Sequence, residues 1–493
     1  VNFRYPPFKH QAAIFNRSKD SEYYGIFADC GLGKSKVVID TAAYLYLEHK
    51  IEAMLVVTIR GVHKQWVEQE VPKHMSPDVA TVHCFAWDSS KHETKKHAAT
   101  VENLFTSAGL KILAINFDAC ITKDGFNLVQ RFCKTFKTIL IIDESHQAKN
   151  RTSLRAKALL KLSRLCPYRR ALTGTPVGNS PEDLYSQLEI LAPGLSGFQS
   201  FYTFRSFFCN LITESNYSTG RHYQIVVSHK NLDVLERHLK TFSSRVLKSE
   251  ALDLPDQLYQ IIPVSLSKNQ ARLYKELKDN LITELNGQEV TAPLAIVKLL
   301  RLQQILGNHF VPDATPENMN PEPIAIDQSC PRLEALLDVI EGANGKQVIW
   351  SRYVAEIKMI TEALNKKYGA GSAASYFGAT STADRKQLLA DFADPNSKLM
   401  YAVLQQQSGG TGIDALKIAS YVHYFSNNFS YIDRYQTESR NHRIGTELPV
   451  TYFDYVAPNT IDTHILKALH AKRDLSATVV GDIRSLLQNC EEL

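Results

Sequence analysis

Residues 25–35, Gly-Ile-Phe-Ala-Asp-Cys-Gly-Leu-Gly-Lys-Ser, join an apolar run to a glycine turn and then to a helical stretch. The pattern constrains the fold strongly, because the run asks for a buried strand and the helix must then pack back on the sheet. Such a turn points several backbone N–H groups inward and aims a helix N-terminus at one place, an arrangement suited to a chain of phosphates. Lys34 is then placed to reach the terminal phosphates, and the Ser35 hydroxyl to ligate Mg²⁺. The usual G-x-x-x-x-G-K-[ST] spacing puts its first glycine on Ala28, so Gly31 and Gly33 must supply the loop's freedom. Taken alone, the segment also reads as a glycine turn capping a helix beside a surface lysine.

A second segment, Thr138-Ile-Leu-Ile-Ile-Asp-Glu-Ser-His146, is a β-branched apolar run ending in two acids, as a buried parallel strand does at its carboxyl edge. Ligand sites of open parallel sheets lie at that edge. Asp143 is placed to hold Mg²⁺, directly or through water, and Glu144 to orient and deprotonate a water that attacks a γ-phosphate. The alternative is a pair of helix-capping carboxylates.

A chain of 493 residues exceeds one compact core and suggests two to four domains. Strand-like and helical runs alternate over residues 1–195, the pattern of a parallel sheet wound on both faces. Aromatic and basic helical stretches follow over 196–310, with a hairpin turn expected at Thr219-Gly220 before a strand Tyr223–Ser228. Residues 311–331 are polar and proline-bearing, a linker. Alternation resumes over 332–475 with runs at 347–351, 399–404, 421–425 and 450–456, leaving 476–493 as a helical tail. The expected fold is α/β: two RecA-like parallel-sheet lobes with a mainly helical insertion and a cleft between the lobes.

Composition narrows the function classes. The net charge of +5, from 56 basic and 51 acidic residues, permits local basic tracks and does not by itself indicate a nucleic-acid partner. The eight cysteines form no C-x-x-C pair and no cluster at zinc spacing, which points to reduced thiols. No apolar run reaches the ~20 residues of a membrane span, and Val1-Asn-Phe-Arg-Tyr-Pro is not a signal peptide. An intracellular protein without membrane partners is expected, cytoplasmic, or nuclear if eukaryotic.

Two segments of the second lobe carry chemistry. Ser408-Gly-Gly-Thr-Gly-Ile-Asp414 is a glycine-rich turn whose backbone can approach a phosphate, though an ordinary turn is equally consistent. Tyr435-Gln-Thr-Glu-Ser-Arg-Asn-His-Arg-Ile-Gly445 sets Arg440 and Arg443 three residues apart, close to one helical face. An arginine brought to a phosphoryl-transfer site is worth roughly 10³ to 10⁵ in rate. Jointly, a phosphate loop, a strand-end acid pair and a distant arginine pair describe an ATPase of the nucleic-acid motor kind.

The order and wording of these segments resemble the Swi/Snf-type family of helicase superfamily two, ATP-driven translocases on double-stranded DNA, in a compact form without accessory domains. Phe8-Lys-His-Gln11 resembles the adenine-reading element, which implies that Gln11 contacts the base. Ala28 to Ser35 is similar to the first motif, with Asp29 in its usual acidic place. Leu55 to Trp66 resembles the following DNA-touching strand and helix, Asp143 to Asn150 the acidic box, and Leu172 to Asn179 the third motif. Phe242 to Lys248 with Leu254-Pro255, Leu299 to Ile305, Val348 to Ser351, Gly378 with Arg385 and Phe392, Ser408 to Asp414, and Gln436 to Gly445 are similar to the later motifs in order.

The resemblance implies ATP and Mg²⁺ as cofactors, with ATP bound through Gln11, Asp29, Gly31, Gly33, Lys34 and Ser35, joined by Gly412 and Asp414. Ser35 and Asp143 would hold the metal; Lys34, Glu144, Arg440 and Arg443 would carry catalysis, Arg443 the better candidate for the γ-phosphate. His146, Thr173, Thr175 and Gln436 would couple nucleotide state to movement. DNA would meet Arg60, Lys64, Asn116, Ser408, Gly409 and Thr411, in the stretch beginning at Thr58, with Arg221, His222 and Lys230 of the insertion as further grip or as a solvated hairpin. Departures from the family pattern are Ser145, expected to be neutral, Thr446 in place of a common glutamine, and Asp414 in place of a common asparagine. Trp66 reads as a packing residue. The implied partner is duplex DNA, with forked or branched DNA as another form. A strand-separating or branch-migrating helicase shares every ATPase residue and needs a wedge, for which Tyr217 to Tyr223 is the candidate. A non-catalytic nucleic-acid-binding module fits the complete site less well.

Overall fold

The computed structural model describes residues 1–90, 92, 94–178, 180–215, 222–287, 292–312, 321–407 and 414–480. The first of two compact units is built mainly from Val1–Glu214 and Gln224–Asp253, and the second mainly from Leu254–Ala471. In the first, strands β1 (Tyr23–Ala28), β2 (Ala53–Thr58), β3 (Val82–Ala86), β4 (Leu110–Asn116), β5 (Thr138–Asp143) and β6 (Tyr168–Leu172) enter one sheet. After a two-stranded pair, β7 (Cys209–Ser215) with β8 (His222–His229), strand β9 (Ser243–Val246) returns to that sheet. The order is β3-β4-β2-β5-β6-β1-β9, parallel throughout.

Burial on both faces explains the unbroken apolar runs. Along β2, Met54 and Val56 enter one core with Ile26, Val38 and Ile141, whereas Leu55 and Val57 enter the opposite core with Leu113, Ile142 and Phe132. Successive side chains of a strand point to opposite faces, so a run without polar alternation is what a sheet covered by helices on both sides requires.

The second sheet takes β10 (Gln257–Pro263) and, after the short pair β11 (His309–Phe310) and β12 (Ile324–Ala325), β13 (Gln347–Ser351), β14 (Ala373–Tyr376), β15 (Tyr401–Gln405), β16 (Tyr421–Tyr424) and β17 (Val450–Val456). Its order is β10-β17-β16-β13-β15-β14, again parallel. Val348 and Trp350 line one core and Ile349 the other. The two RecA-like parallel sheets expected from the sequence are therefore present.

The expected insertion over 196–310 is not a separate body. Phe204, Phe208, Leu235 and Leu239 pack with Phe27 and Ala171 of the first sheet, and β9 pairs with β1. Farther on, β10 pairs with β17, and Tyr274, Leu302 and Ile305 from helices Lys268–Gly287 and Ala292–Leu306 pack with Ile461 and Ile465 of the second unit. Within the expected insertion the main change of unit falls at residues 253–254. Strand β9 escapes periodicity because it is Ser-Ser-Arg-Val, its hydroxyls meeting Leu239 O and the Tyr24 hydroxyl. Strand β10 escapes because it is an edge, exposed along most of its length. Within the expected linker, Ile324 and Ala325 pair back with Phe310 and His309 at the end of the expected insertion; residues 313–320, and 481–493 of the expected tail, lie outside the described residues. Among the described residues no helix is long and apolar enough to cross a membrane.

One buried arginine fastens the first helix, α1 (Lys9–Ser18), to the sheet. Arg170 on β6 is fully buried, and its guanidinium donates to Ser18 O at 2.6 Å, Ser21 O at 2.8 Å and Arg169 O at 2.8 Å. Burial pulls that guanidinium down to about 10. Replacing Arg170 by Met strands these carbonyls, and we expect a loss of about 3 kcal/mol in the first unit's stability, read as a lowered urea midpoint.

Candidate functional site

Strand β1 ends at Ala28, and the next helix, α2 (Lys34–Leu47), begins after a turn in which Gly31 (φ 88°) and Gly33 (φ 75°) take left-handed conformations. At Gly33 the left-handed backbone disfavours a side chain, and a Cβ there would also displace the Gln11 amide nitrogen. Lys34 Nζ reaches back over the loop to Ala28 O at 2.9 Å and Asp29 O at 3.3 Å. Ser35 stands in the first turn of α2. Gln11 is buried against the loop, its Nε2 donating to Leu32 O at 3.1 Å and its Oε1 accepting from Phe8 N at 3.0 Å. His10 Nε2 meets the same Leu32 carbonyl at 3.0 Å. Helix α1 thus braces the loop from below.

Asp29 is held by protein partners. Its carboxylate pairs with Arg245 at 3.0 Å and accepts from Lys248 N at 3.0 Å. Arg245 also donates to Phe27 O at 2.9 Å and Gly174 O at 3.1 Å, tying β9 to β1 and to the turn after β6. Sequence reasoning placed Arg245 only within the stretch Phe242 to Lys248 that resembles a later motif, since nothing local marks an arginine whose partners are more than 70 residues away.

At the end of β5 the Asp143 carboxylate accepts from the Thr58 hydroxyl and from the Trp66 indole, both at 3.0 Å. Burial first, then the neighbouring Glu144 charge, push the Asp143 carboxyl up; Trp66, Lys34 and Thr58 pull it back. Strands β1, β6 and β5 run parallel in one sheet, so the glycine turn after β1 and the acid pair at the end of β5 lie at the same edge. Trp66 packs, as its sequence suggests, and also orients Asp143. Neither that donation nor Thr58's had a local signal, because it arises where β2 and β5 end side by side.

Glu144 sits in the left-handed region (φ 57°) and caps the turn Ser145–Ala148. Its carboxylate lies 3.3 Å from His146 Nδ1, which also meets the Thr173 hydroxyl at 3.1 Å; that hydroxyl accepts from Thr175 N at 3.0 Å. Glu144, His146, Thr173 and Thr175, the last three expected from the resemblance to couple nucleotide state to movement, are thus linked in one chain of polar contacts. Of the residues assigned to DNA, Arg60 is exposed, Lys64 pairs with Asp88 at 2.9 Å, and Asn116 is buried as a helix cap accepting from Ala119 N at 2.9 Å.

In the second unit the helix Tyr431–Asn441 carries Gln436 and Arg440, and Arg443 follows in a turn closed by Gly445 (φ 89°). Thr446 shapes that turn: its hydroxyl accepts from Arg443 N at 3.1 Å and donates to Asn441 O at 2.8 Å. The helix is anchored by buried Arg434, which reaches Asp454 at 2.5 Å and Glu438 at 2.6 Å over the face of the Tyr424 ring. Ser408, Gly409, Thr411 and Gly412 lie outside the described residues, as do Arg221 and most of the hairpin 217–223. Asp414 opens the short helical turn Asp414–Ile418, and its side chain is outside them as well.

The donor set fits Mg²⁺ and a nucleotide's phosphates: a glycine cradle and a lysine for the anion, a hydroxyl and a carboxylate for the cation. Residues 9–309 match the SNF2-related domain and residues 331–445 the helicase conserved C-terminal domain. The chain is similar to a probable ATP-dependent DNA helicase, CHR12, of Arabidopsis thaliana, 26% identical over 95% of this chain and 41% of that protein. It is 25% identical to the transcription regulatory protein SNF2 of Saccharomyces cerevisiae over 92% of this chain and 26% of that protein. It thus spans less than half the length of these relatives. Among solved structures, the SWI2/SNF2 ATPase core of Sulfolobus solfataricus in complex with dsDNA aligns with a TM-score of 0.41 at 22% identity, covering 98% of this chain and 95% of that one.

The raised Asp143 carboxyl carries a sign for stability. Its folded pKa lies above the unfolded one, so the group favours folding at acid pH, and that contribution is lost as pH rises through the folded value. Asp143→Asn, which keeps an oxygen for Thr58 and Trp66, is expected to melt above the wild type at about pH 7, the gap closing below about pH 4. Melting temperature against pH measures it.

Proposed function

Because the chain belongs to the SNF2-related family, we propose that it is a DNA-dependent ATPase that translocates along duplex DNA. The observation that supports this reading is that the turn carrying Lys34 and the pair Asp143 and Glu144 follow parallel strands of one sheet at its carboxyl edge, with Lys34 and Glu144 both acting on the Asp143 charge. Gln11 contacts the base, the 29–35 turn and Lys34 bind the phosphates, and Glu144 takes a proton from the attacking water. Ser35 and Asp143 would hold Mg²⁺, which would supply neutralising charge for the terminal phosphates. Arg440 and Arg443 offset the charge of the transition state, and His146, Thr173, Thr175 and Gln436 transmit the nucleotide state.

Contacts to DNA are made mainly to phosphates, by Arg60 and Lys64 and by the glycine-rich turn at 408–412, so binding is largely independent of sequence. Lys64 must then leave Asp88, a half-exposed pair that costs little to open. Strand separation or branch migration is the second reading; it shares the ATPase residues and differs in the nucleic acid that stimulates them. The site's position inside an intracellular process, with protein partners unspecified, follows from the same proposal.

Hydrolysis is measured without nucleic acid and with duplex, single-stranded and forked DNA and RNA. Plain duplex is expected to stimulate most, and stimulation confined to forks or single strands would favour the second reading. Lys34→Ala should lose both ATP binding and turnover. Glu144→Gln should bind ATP and turn over at least about 100-fold more slowly. Arg443→Ala should lower kcat with little loss of ATP affinity; a large affinity loss at unchanged kcat would remove its assigned role. Duplex stimulation should fall steeply between about 50 and 200 mM salt.

A further inference from the structure

Asp183, Ser186 and Gln187 share one face of the helix Glu182–Leu191, at the i, i+3, i+4 spacing that aligns side chains. All three bind the turn that follows the acid pair. The Asp183 carboxylate accepts from Lys149 Nζ at 3.2 Å and from Gly178 N at 3.1 Å. The Ser186 hydroxyl donates to Ala148 O at 2.7 Å. Gln187 works in both directions: its Oε1 accepts from the Ser145 hydroxyl at 2.7 Å, and its Nε2 donates to Pro176 O and Asp183 O, each at 2.8 Å.

The turn after β5 and the turn after β6 are therefore joined twice, once directly through His146 and Thr173 and once through this helix. We propose that Gln187 is a positioning residue for hydrolysis, holding Ser145 in register with the 173–178 turn and so aiming the Glu144 carboxylate. The role rests on the reading of Glu144 as the group that activates water. Glu144 is in the left-handed region, which costs a residue with a side chain about 1–2 kcal/mol and persists only where the surroundings enforce it. Ser145 is the adjoining residue, and Gln187 is what pins it. Gln187 is 3% exposed and Ser145 2%, so removing either partner leaves a polar atom buried without water to replace it. Ser145, the departure from the family pattern expected to be neutral, is then functional, because this chain supplies an acceptor for its hydroxyl.

Ser145→Ala, Gln187→Leu and the double variant of the full chain would be compared in duplex-stimulated ATP hydrolysis and in thermal midpoint. Each single change is expected to lower kcat about 3- to 10-fold while KM for ATP stays within about twofold. The double variant strands one polar atom fewer than Gln187→Leu, so it should melt higher than that variant and yet be no faster. A kcat that rises with the midpoint, or single variants with wild-type kcat, would overturn the positioning role while leaving the ATPase reading intact. A wild-type chain that hydrolyses no ATP on any nucleic acid would overturn both.

Discussion

A carboxylate at the end of a buried strand is hard to keep ionised, and much of the first unit is arranged around that difficulty. Asp143 meets Thr58 from the neighbouring strand, the indole of Trp66, and the field of Lys34 from the loop two strands away. Each favours the charged form, against burial and against Glu144. The parallel sheet makes this convergence available, because β1, β2, β5 and β6 all end at the same edge and deliver groups from distant parts of the chain to one place.

The same economy of support appears around the loop and in the second unit. Gln11 holds the glycine turn through Leu32, and Arg245 holds it through Asp29. In the second unit Arg434 is compensated by Asp454 and Glu438 and stacked on Tyr424, which fixes the helix that presents Arg440. A buried ion pair of this sort gives little net stability, but its geometry leaves the helix one seating. Thr446, a departure from the family pattern, shapes the turn that carries Arg443 through two hydrogen bonds.

Where the sequence was legible, the reason was local chemistry. Glycines before a lysine and a hydroxyl, and two acids closing an apolar run, declare a phosphate loop and an acid pair because backbone conformation and strand burial are set by a few adjacent residues. Strands with unbroken apolar runs were legible for the same reason. β9 and β10 were not: the first is polar and satisfied by hydroxyl bonds, and the second is an exposed edge whose membership depends on pairing with β17. The insertion looked separate because its composition changes, yet its aromatic face is spent on Phe27 and Ala171.

The sequence by itself determined which groups the chain carries and their order: a glycine turn before a lysine and a hydroxyl, an acid pair closing a strand, an arginine pair, and two parallel sheets to carry them. The tertiary structure alone decided which neutral or basic residues make those groups workable. Thr58 and Trp66 on Asp143, Arg245 on Asp29, and Gln187 on Ser145 are contacts between residues 42 to 216 positions apart. Such contacts leave no periodicity or spacing behind, because a hydrogen bond depends on where two atoms end in space and not on how many residues separate them.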